Sequence, residues 1–438
     1  MNTLALKGKK LLLLGTNMAT CDMVNYAKSK GVHTIVSDYL DPENSPAKRI
    51  ADEYWMISTD DIDLLEKKAR ENQVNGVIAG ISDFNLKKAL ILCEKLDLPF
   101  YCTRDQMDVC SDKKRFKQLC RKHGVPVVPE YSIDENFKPE ELRKIEYPVI
   151  VKPVDNTAGR GISICNNEYE LHAAYEKAKS FSESKDIIIE PYMHSNEVTM
   201  FYAIQEGNIY LTAMLDRYTN NRHGQIIPLP VAYFFPSIHL KTYQETLDNN
   251  VIEMFKSIGI RNGTIFIQSF IENGEFKFYE MGLRLAATQE YHILASESQI
   301  NTMEMIVNYA LTKKMSEVDI AEYVNPNFKQ VYCIINFLVK PGDIGKIVGT
   351  NEVVKFPEVI TAVNEYKNGT LIPPSALGTL QQIVFRVFAG TATRTELAAV
   401  VDRMYNTVGI FSENGDDILL PNFNTKELFN QEVLAKNE

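Results

Sequence analysis

Short apolar runs alternate with amphipathic stretches through residues 1–110, and this alternation restricts the chain's opening part to one arrangement, a parallel sheet covered by helices. Lys10–Leu14 reads as a buried strand that stops at Gly15. Residues 19–30 read as a helix ended by Gly31, and residues 34–37 as the next strand. Residues 54–57, 61–70, Gly76–Ala79 and 86–96 continue the pattern. The loop at residues 15–20 occupies the strand's carboxyl end, where such sheets bind ligands. It lacks the spaced glycines of a dinucleotide fingerprint. Asp38, after the second strand, is a residue type that holds a ribose but is also common in loops.

At 438 residues the chain needs two to four cores, given roughly 100–200 residues per domain. A net charge of −10 sets aside nucleic acid and anionic membrane as principal partners and leaves room for a small anion held by a local basic cluster. No apolar run near the start spans a bilayer and no signal-peptide pattern appears. The seven cysteines form no C-x-x-C pair, so free thiols and a cytoplasmic location are expected. Residues 103–122 read as helical and basic, stopped by Gly124. Further composition changes fall near Tyr147 and at residues 325–328, and the last part of the chain is rich in short strands.

Four segments carry chemistry. In residues 147–153, Tyr-Pro-Val-Ile-Val-Lys-Pro, an apolar strand delivers Lys152 at its end. A lysine in such a strand requires a partner, and a phosphate is one. The loop that follows contains Thr157, Gly159, Arg160 and Gly161, and its glycines let backbone N–H groups approach an anion. A plain hairpin with a surface lysine is the competing reading. Residues 186–192 form a strand ending in Glu190, Pro191 and Tyr192, with Glu197 opening the next strand. A strand end offers backbone groups to a base edge and a carboxylate to a ribose diol; a surface turn is the alternative. Residues 263–284 read as a hairpin about Asn273-Gly274. A strict two-residue turn would put Gln268 and Glu280 on opposite faces, whereas a three-residue loop or one bulge puts them on the same face, where their oxygens suit Mg²⁺. The same-face register is expected here. Finally, Ser111 or Asp112 caps a helix whose first turn carries Lys113, against the helix dipole.

The order and spacing of Asp112-Lys113, Lys152 with its glycine loop, Glu190 to Tyr192, Glu197, Gln268, and Glu280-Met-Gly-Leu-Arg284 resembles the ATP-grasp superfamily. The branch it is most similar to contains biotin carboxylase, carbamoyl-phosphate synthase and L-amino acid ligases. The resemblance implies an N-terminal open parallel α/β domain (1–110), a two-lobed ATP-grasp module (111–328, lid about 125–195) and a C-terminal β-rich domain (329–438). It also implies ATP and Mg²⁺ as cofactors. Lys113 and Lys152 would contact phosphates, the loop from Thr157 to Gly161 would close over them, Glu190, Pro191 and Tyr192 would lie at the adenine, and Glu197 at the ribose. Gln268 and Glu280 would hold Mg²⁺, and Arg284 would stabilise an acyl phosphate. Arg217, in the polar segment with Asp216, Arg222 and His223, would bind a substrate carboxylate.

Two departures from the family pattern stand out. Gln268 replaces the usual Glu, and Gly282 the usual Asn. The function expected on these grounds is an ATP-dependent ligase that joins a small carboxylic acid to an amine, an amino acid being one candidate. Carboxylation through carboxyphosphate and ATP binding without catalysis are the rivals. A homodimer is the default expectation for a soluble oligomer.

Overall fold

The computed structural model describes residues 5–133, 135–155, 161–193, 196–220 and 229–428. Strands β1 (Lys10–Leu14), β2 (His33–Asp38), β3 (Glu53–Met56) and β4 (Gly76–Ala79) form a parallel sheet in the order β3-β2-β1-β4. Leu11 to Leu14 are completely buried, as the central strand of a sheet covered on both faces must be. Helices Met18–Ser29 and Asp83–Leu96 cover it, the first capped by Asn17 and the second by Ser82. Asp38 is engaged within this layer: it accepts from Ser45 Oγ and pairs with the buried Lys48 at 2.8 Å.

The basic stretch at 103–122 holds two helices, the second starting at the cap expected from sequence. Arg104–Ser111 ends and Lys113–Lys122 begins at Asp112, whose extended backbone (φ −84°, ψ 116°) breaks the run while its carboxylate caps the second helix at Arg115 N. A capping residue takes non-helical angles, so an aspartate inside a helical pattern splits it.

Strands β5 (Val149–Pro153), β6 (Ser163–Cys165) and β7 (Ile187–Pro191) make a small antiparallel sheet in the order β6-β5-β7. Helix Glu168–Phe181 packs on it and gives it a separate apolar cluster about Val149, Val151, Leu171 and Ile189.

The remaining strands are β8 (Asn196–Gln205), β9 (Asn208–Asn220), β10 (Leu229–Phe235), β11 (Gly263–Glu272), β12 (Glu275–Gly282), β13 (Val331–Leu338), β14 (Gly342–Ile344), β15 (Lys346–Val348), β16 (Val359–Asn364), β17 (Thr370–Ile372), β18 (Ile383–Thr391) and β19 (Gly409–Phe411). Eight of them build one large sheet in the order β12-β11-β8-β9-β10-β13-β18-β16. The sheet crosses residues 328–329 without a break, because β10 pairs with β13 from Ala232–Ile335 to Phe235–Tyr332. Two short pairs, β14 with β17 and β15 with β19, complete the C-terminal part. All seven cysteines are buried free thiols, and among the described residues no helix is long and apolar enough to cross a membrane.

Candidate active site

Helix Lys113–Lys122 buries Lys113, Phe116, Lys117 and Cys120, an i, i+3, i+4, i+7 face. Two lysines on a buried face need acceptors. Lys117, fully buried, pairs with Glu190 Oε1, donates to Val128 O at 2.8 Å and lies 3.0 Å from Glu130. Lys152 Nζ meets the other oxygen of Glu190 at 2.5 Å. Burial would push the Glu190 carboxyl up, but Lys152 and Lys117 together hold it below its ordinary range. Sequence reasoning missed Lys117. Its spacing of four from Lys113 and its place beside Phe116 on the apolar face were the signals available.

Lys113 sits between the layers. Burial lowers its pKa, Glu280 opposes that most strongly, and Lys152, Glu190 and Asp83 also act on it. Lys113 N donates to Val154 O at 3.2 Å, which ties the helix start to the end of β5. Lys113 and Lys152 are both buried, so each charge acts on the other in low-dielectric surroundings.

The hairpin β11–β12 turns at Asn273 (φ 52°) and Gly274 (φ 79°), a two-residue turn that both residues enter with positive φ. A register shift between Gln268 and Ser269 then places Gln268 directly opposite Glu280. Gln268 Nε2 donates to Thr199 Oγ1 at 3.3 Å, which leaves its carbonyl oxygen for a cation. The Glu280 side chain makes no hydrogen bond or ion pair with the described residues. Among those residues no group of three His, Cys, Asp or Glu could hold a metal. One amide oxygen and one carboxylate fit Mg²⁺, which commonly completes its shell with nucleotide phosphate and water. The glycine at 282 has a steric cause: a Cβ there would stand 2.5 Å from the Phe266 ring, its cross-strand partner. Phe266 occupies the space an asparagine side chain would need.

Phe266 also supports Arg284, whose guanidinium lies 4.9 Å from its ring centroid. Arg284 forms a fork with Asp83, Nε to Oδ1 at 2.6 Å and Nη2 to Oδ2 at 3.0 Å. Asp83, at the start of helix Asp83–Leu96, was not singled out from sequence. Burial opposes the Arg284 charge, but Asp83 outweighs it and raises the pKa.

Glu197 and Arg217 face each other across β8 and β9 and form an ion pair, to which Tyr279 Oη donates at 2.7 Å on Glu197. Asp216 points to the turn after β10, where Ser237 Oγ (2.5 Å) and Ile238 N (3.1 Å) donate to it. Tyr192 N donates to Pro148 O at 2.9 Å, and Glu190 and Pro191 complete β7. Gly161 has φ +79°, and a Cβ there would come within 2.8 Å of Phe181. Thr157, Gly159, Arg160, Arg222 and His223 lie outside the described residues.

Residues 112–317, which contain all of these groups except Asp83, match the family of the carbamoyl-phosphate synthase L chain, ATP binding domain. Residues 112–317 carry the ATP-binding domain of that family. ATP binding is the property that this family description assigns to the matched segment. The module's relatives include the 2-oxoglutarate carboxylase small subunit of Hydrogenobacter thermophilus, 27% identical over 63% of this chain and 61% of that protein. A formate-dependent phosphoribosylglycinamide formyltransferase of Sulfurisphaera tokodaii is 24% identical over 58% of this chain and 62% of its own length. The chain thus spans less than two thirds of the length of these curated relatives. Among solved structures, L-amino acid ligase from Bacillus licheniformis superposes with a TM-score of 0.75 at 17% identity, over 93% of this chain and 99% of that one. At that identity the likeness speaks for the fold alone.

Proposed function

We propose that this ATP-grasp chain is a carboxylate–amine ligase. The observation that carries the reading is that Glu280 acts electrostatically on both Lys113 and Arg284, with Lys152 also acting on Lys113 and Gln268 opposite Glu280 on the neighbouring strand. In this reading a substrate carboxylate oxygen attacks the γ-phosphorus of ATP, ADP leaves, and an acyl phosphate forms. An amine nitrogen then attacks the acyl carbon, loses a proton and expels phosphate. The side chains do no covalent chemistry; they position the reactants and neutralise charge.

Lys113 and Lys152 hold the ATP phosphates, and Glu190 fixes the direction of Lys152. Pro191 and Tyr192 border the adenine, and Glu197 meets the ribose with Arg217 restraining it. Arg217, the residue expected to bind a substrate carboxylate, is paired with Glu197. Gln268 and Glu280 hold Mg²⁺, which supplies charge neutralisation on the phosphates when bound. Arg284, oriented by Asp83 and Phe266, faces the acyl phosphate oxygens where negative charge develops.

The test is a screen of acid and amine pairs for release of ADP and phosphate. Release that requires both an acid and an amine, with an amide product found by mass spectrometry, is expected. Release driven by bicarbonate alone would move the chain to carboxylation, the reaction named in one relative. Nucleotide binding with no release under any pair would remove the catalytic reading.

A further inference from the structure

Residues two apart along a strand point the same way, so the β11–β12 hairpin sets two neighbouring cross-strand pairs on one face. Gln268 stands opposite Glu280, and Phe266 stands opposite Gly282. The first pair offers two oxygen donors, an amide and a carboxylate. The second offers none. A Cβ at 282 would meet only the Phe266 ring, with its three nearest atoms at 2.5, 2.6 and 3.4 Å. The backbone at 282 does not take a positive φ. The aromatic ring, rather than the backbone, is therefore what requires glycine there.

Free carboxylate is scarce around this face. The carboxylates that act on Lys113 are Glu280, Glu190 and Asp83. Glu190 is held by Lys117 and Lys152, and Asp83 by Arg284. Glu197 is taken by Arg217. Only Glu280 keeps a side chain without a hydrogen bond or ion pair among the described residues. Residues 156–160 and 221–228, which lie outside those described, contain no Asp or Glu. Two divalent ions about 3.5–4 Å apart repel each other and need carboxylates to offset that repulsion. One carboxylate and one neutral amide meet the needs of a single Mg²⁺, which draws its other ligands from phosphate and water.

A fixed cation already stands at the second pair. The Arg284 guanidinium lies 4.9 Å from the Phe266 ring centroid and is locked by its two-pronged contact with Asp83. Burial works against that charge, and Asp83 and then Glu280 outweigh it. A second dication here would meet the guanidinium without a free carboxylate to balance the two.

We propose that this site takes one divalent cation per nucleotide, on Glu280 and Gln268, and that Phe266 sets the number. Its ring closes the next pair to a metal ligand and seats Arg284 there as the second positive charge. The inference rests on the ligase reading for the presence of a nucleotide at this face.

Manganese counts the ions. Mn²⁺ is titrated into the full chain, kept in excess over AMP-PNP, and electron paramagnetic resonance reads the free and bound metal. One tightly bound Mn²⁺ per nucleotide is expected, with no exchange coupling in the spectrum. At fixed MgAMP-PNP, a tenfold rise in free Mg²⁺ should change nucleotide affinity less than twofold. Phe266→Ala combined with Gly282→Asp opens the second pair and gives it a carboxylate, and should bind two Mn²⁺ per nucleotide. Phe266→Leu with Gly282→Asp is the milder pair should the first unfold the chain. Two Mn²⁺ per nucleotide in the wild type, or an exchange-coupled signal, overturns the inference and leaves the ATP reading standing. A count of one in a double variant with the wild-type circular dichroism spectrum overturns the role of Phe266. Absence of AMP-PNP binding by the wild type overturns the ligase reading, and this inference falls with it.

Discussion

Lys152 and Glu190 meet at 2.5 Å across neighbouring strands β5 and β7, and the same carboxylate is held from its other side by Lys117. One glutamate thus holds two buried lysines at once. The two lysines should fail differently.

Lys152→Ala should lower kcat/KM for ATP by at least a hundredfold, about 3 kcal/mol of transition-state stabilisation, with a normal circular dichroism spectrum. The fold survives because Lys117 still compensates Glu190. Turnover at the wild-type rate would take Lys152 out of the phosphate site.

Lys117→Met should act on stability. It strips Glu190 and Val128 O of a fully buried donor, and breaking one side of a buried pair costs about 3–5 kcal/mol. Urea denaturation measures this; a midpoint within error of wild type would contradict the buried pairing.

Gln268→Glu should raise the apparent affinity for Mg²⁺ by placing a second carboxylate opposite Glu280. Titration of ATP turnover with Mg²⁺ reads the effect. An unchanged half-saturation would mean that residue 268 does not reach the metal.

Arg284→Lys should reduce kcat at least tenfold with little change in ATP affinity. A lysine can form neither the two-pronged contact with Asp83 nor the stack on Phe266 that aim the guanidinium. Equal losses in nucleotide binding and kcat would place Arg284 on ATP in the ground state.

Glu290 supplies a pH test. Burial pushes its carboxyl up to about 7 from 4.5, with Thr288 Oγ1 donating at 2.8 Å in partial compensation. The unfolded chain ionises this group first, so between about pH 4.5 and 7 folding stability falls as pH rises, then levels off. Glu290→Gln should be more stable than wild type at pH 8 by on the order of 2 kcal/mol and show a smaller advantage at pH 5. An equal difference at both pH values would show that the carboxyl is not shifted.

Local pattern alone determined much of this protein. The apolar run of β1, the cap residues and the Asn273-Gly274 turn are decided within a few residues of chain, by strand and helix periodicity and by backbone freedom at positive φ. The same holds for the candidate residues Lys113, Lys152, Gln268, Glu280 and Arg284, whose spacing carried the ATP-grasp resemblance. Tertiary structure decided what those side chains touch. Lys117 reaches Glu190 across 73 residues, and Arg284 reaches Asp83 across 201. It also joined β10 to β13 and so ran the large sheet through the boundary that composition marked at 328. No periodicity encodes such meetings. A buried charge accepts whichever partner the packed layers bring within hydrogen-bonding distance, and that partner is chosen by the fold as a whole.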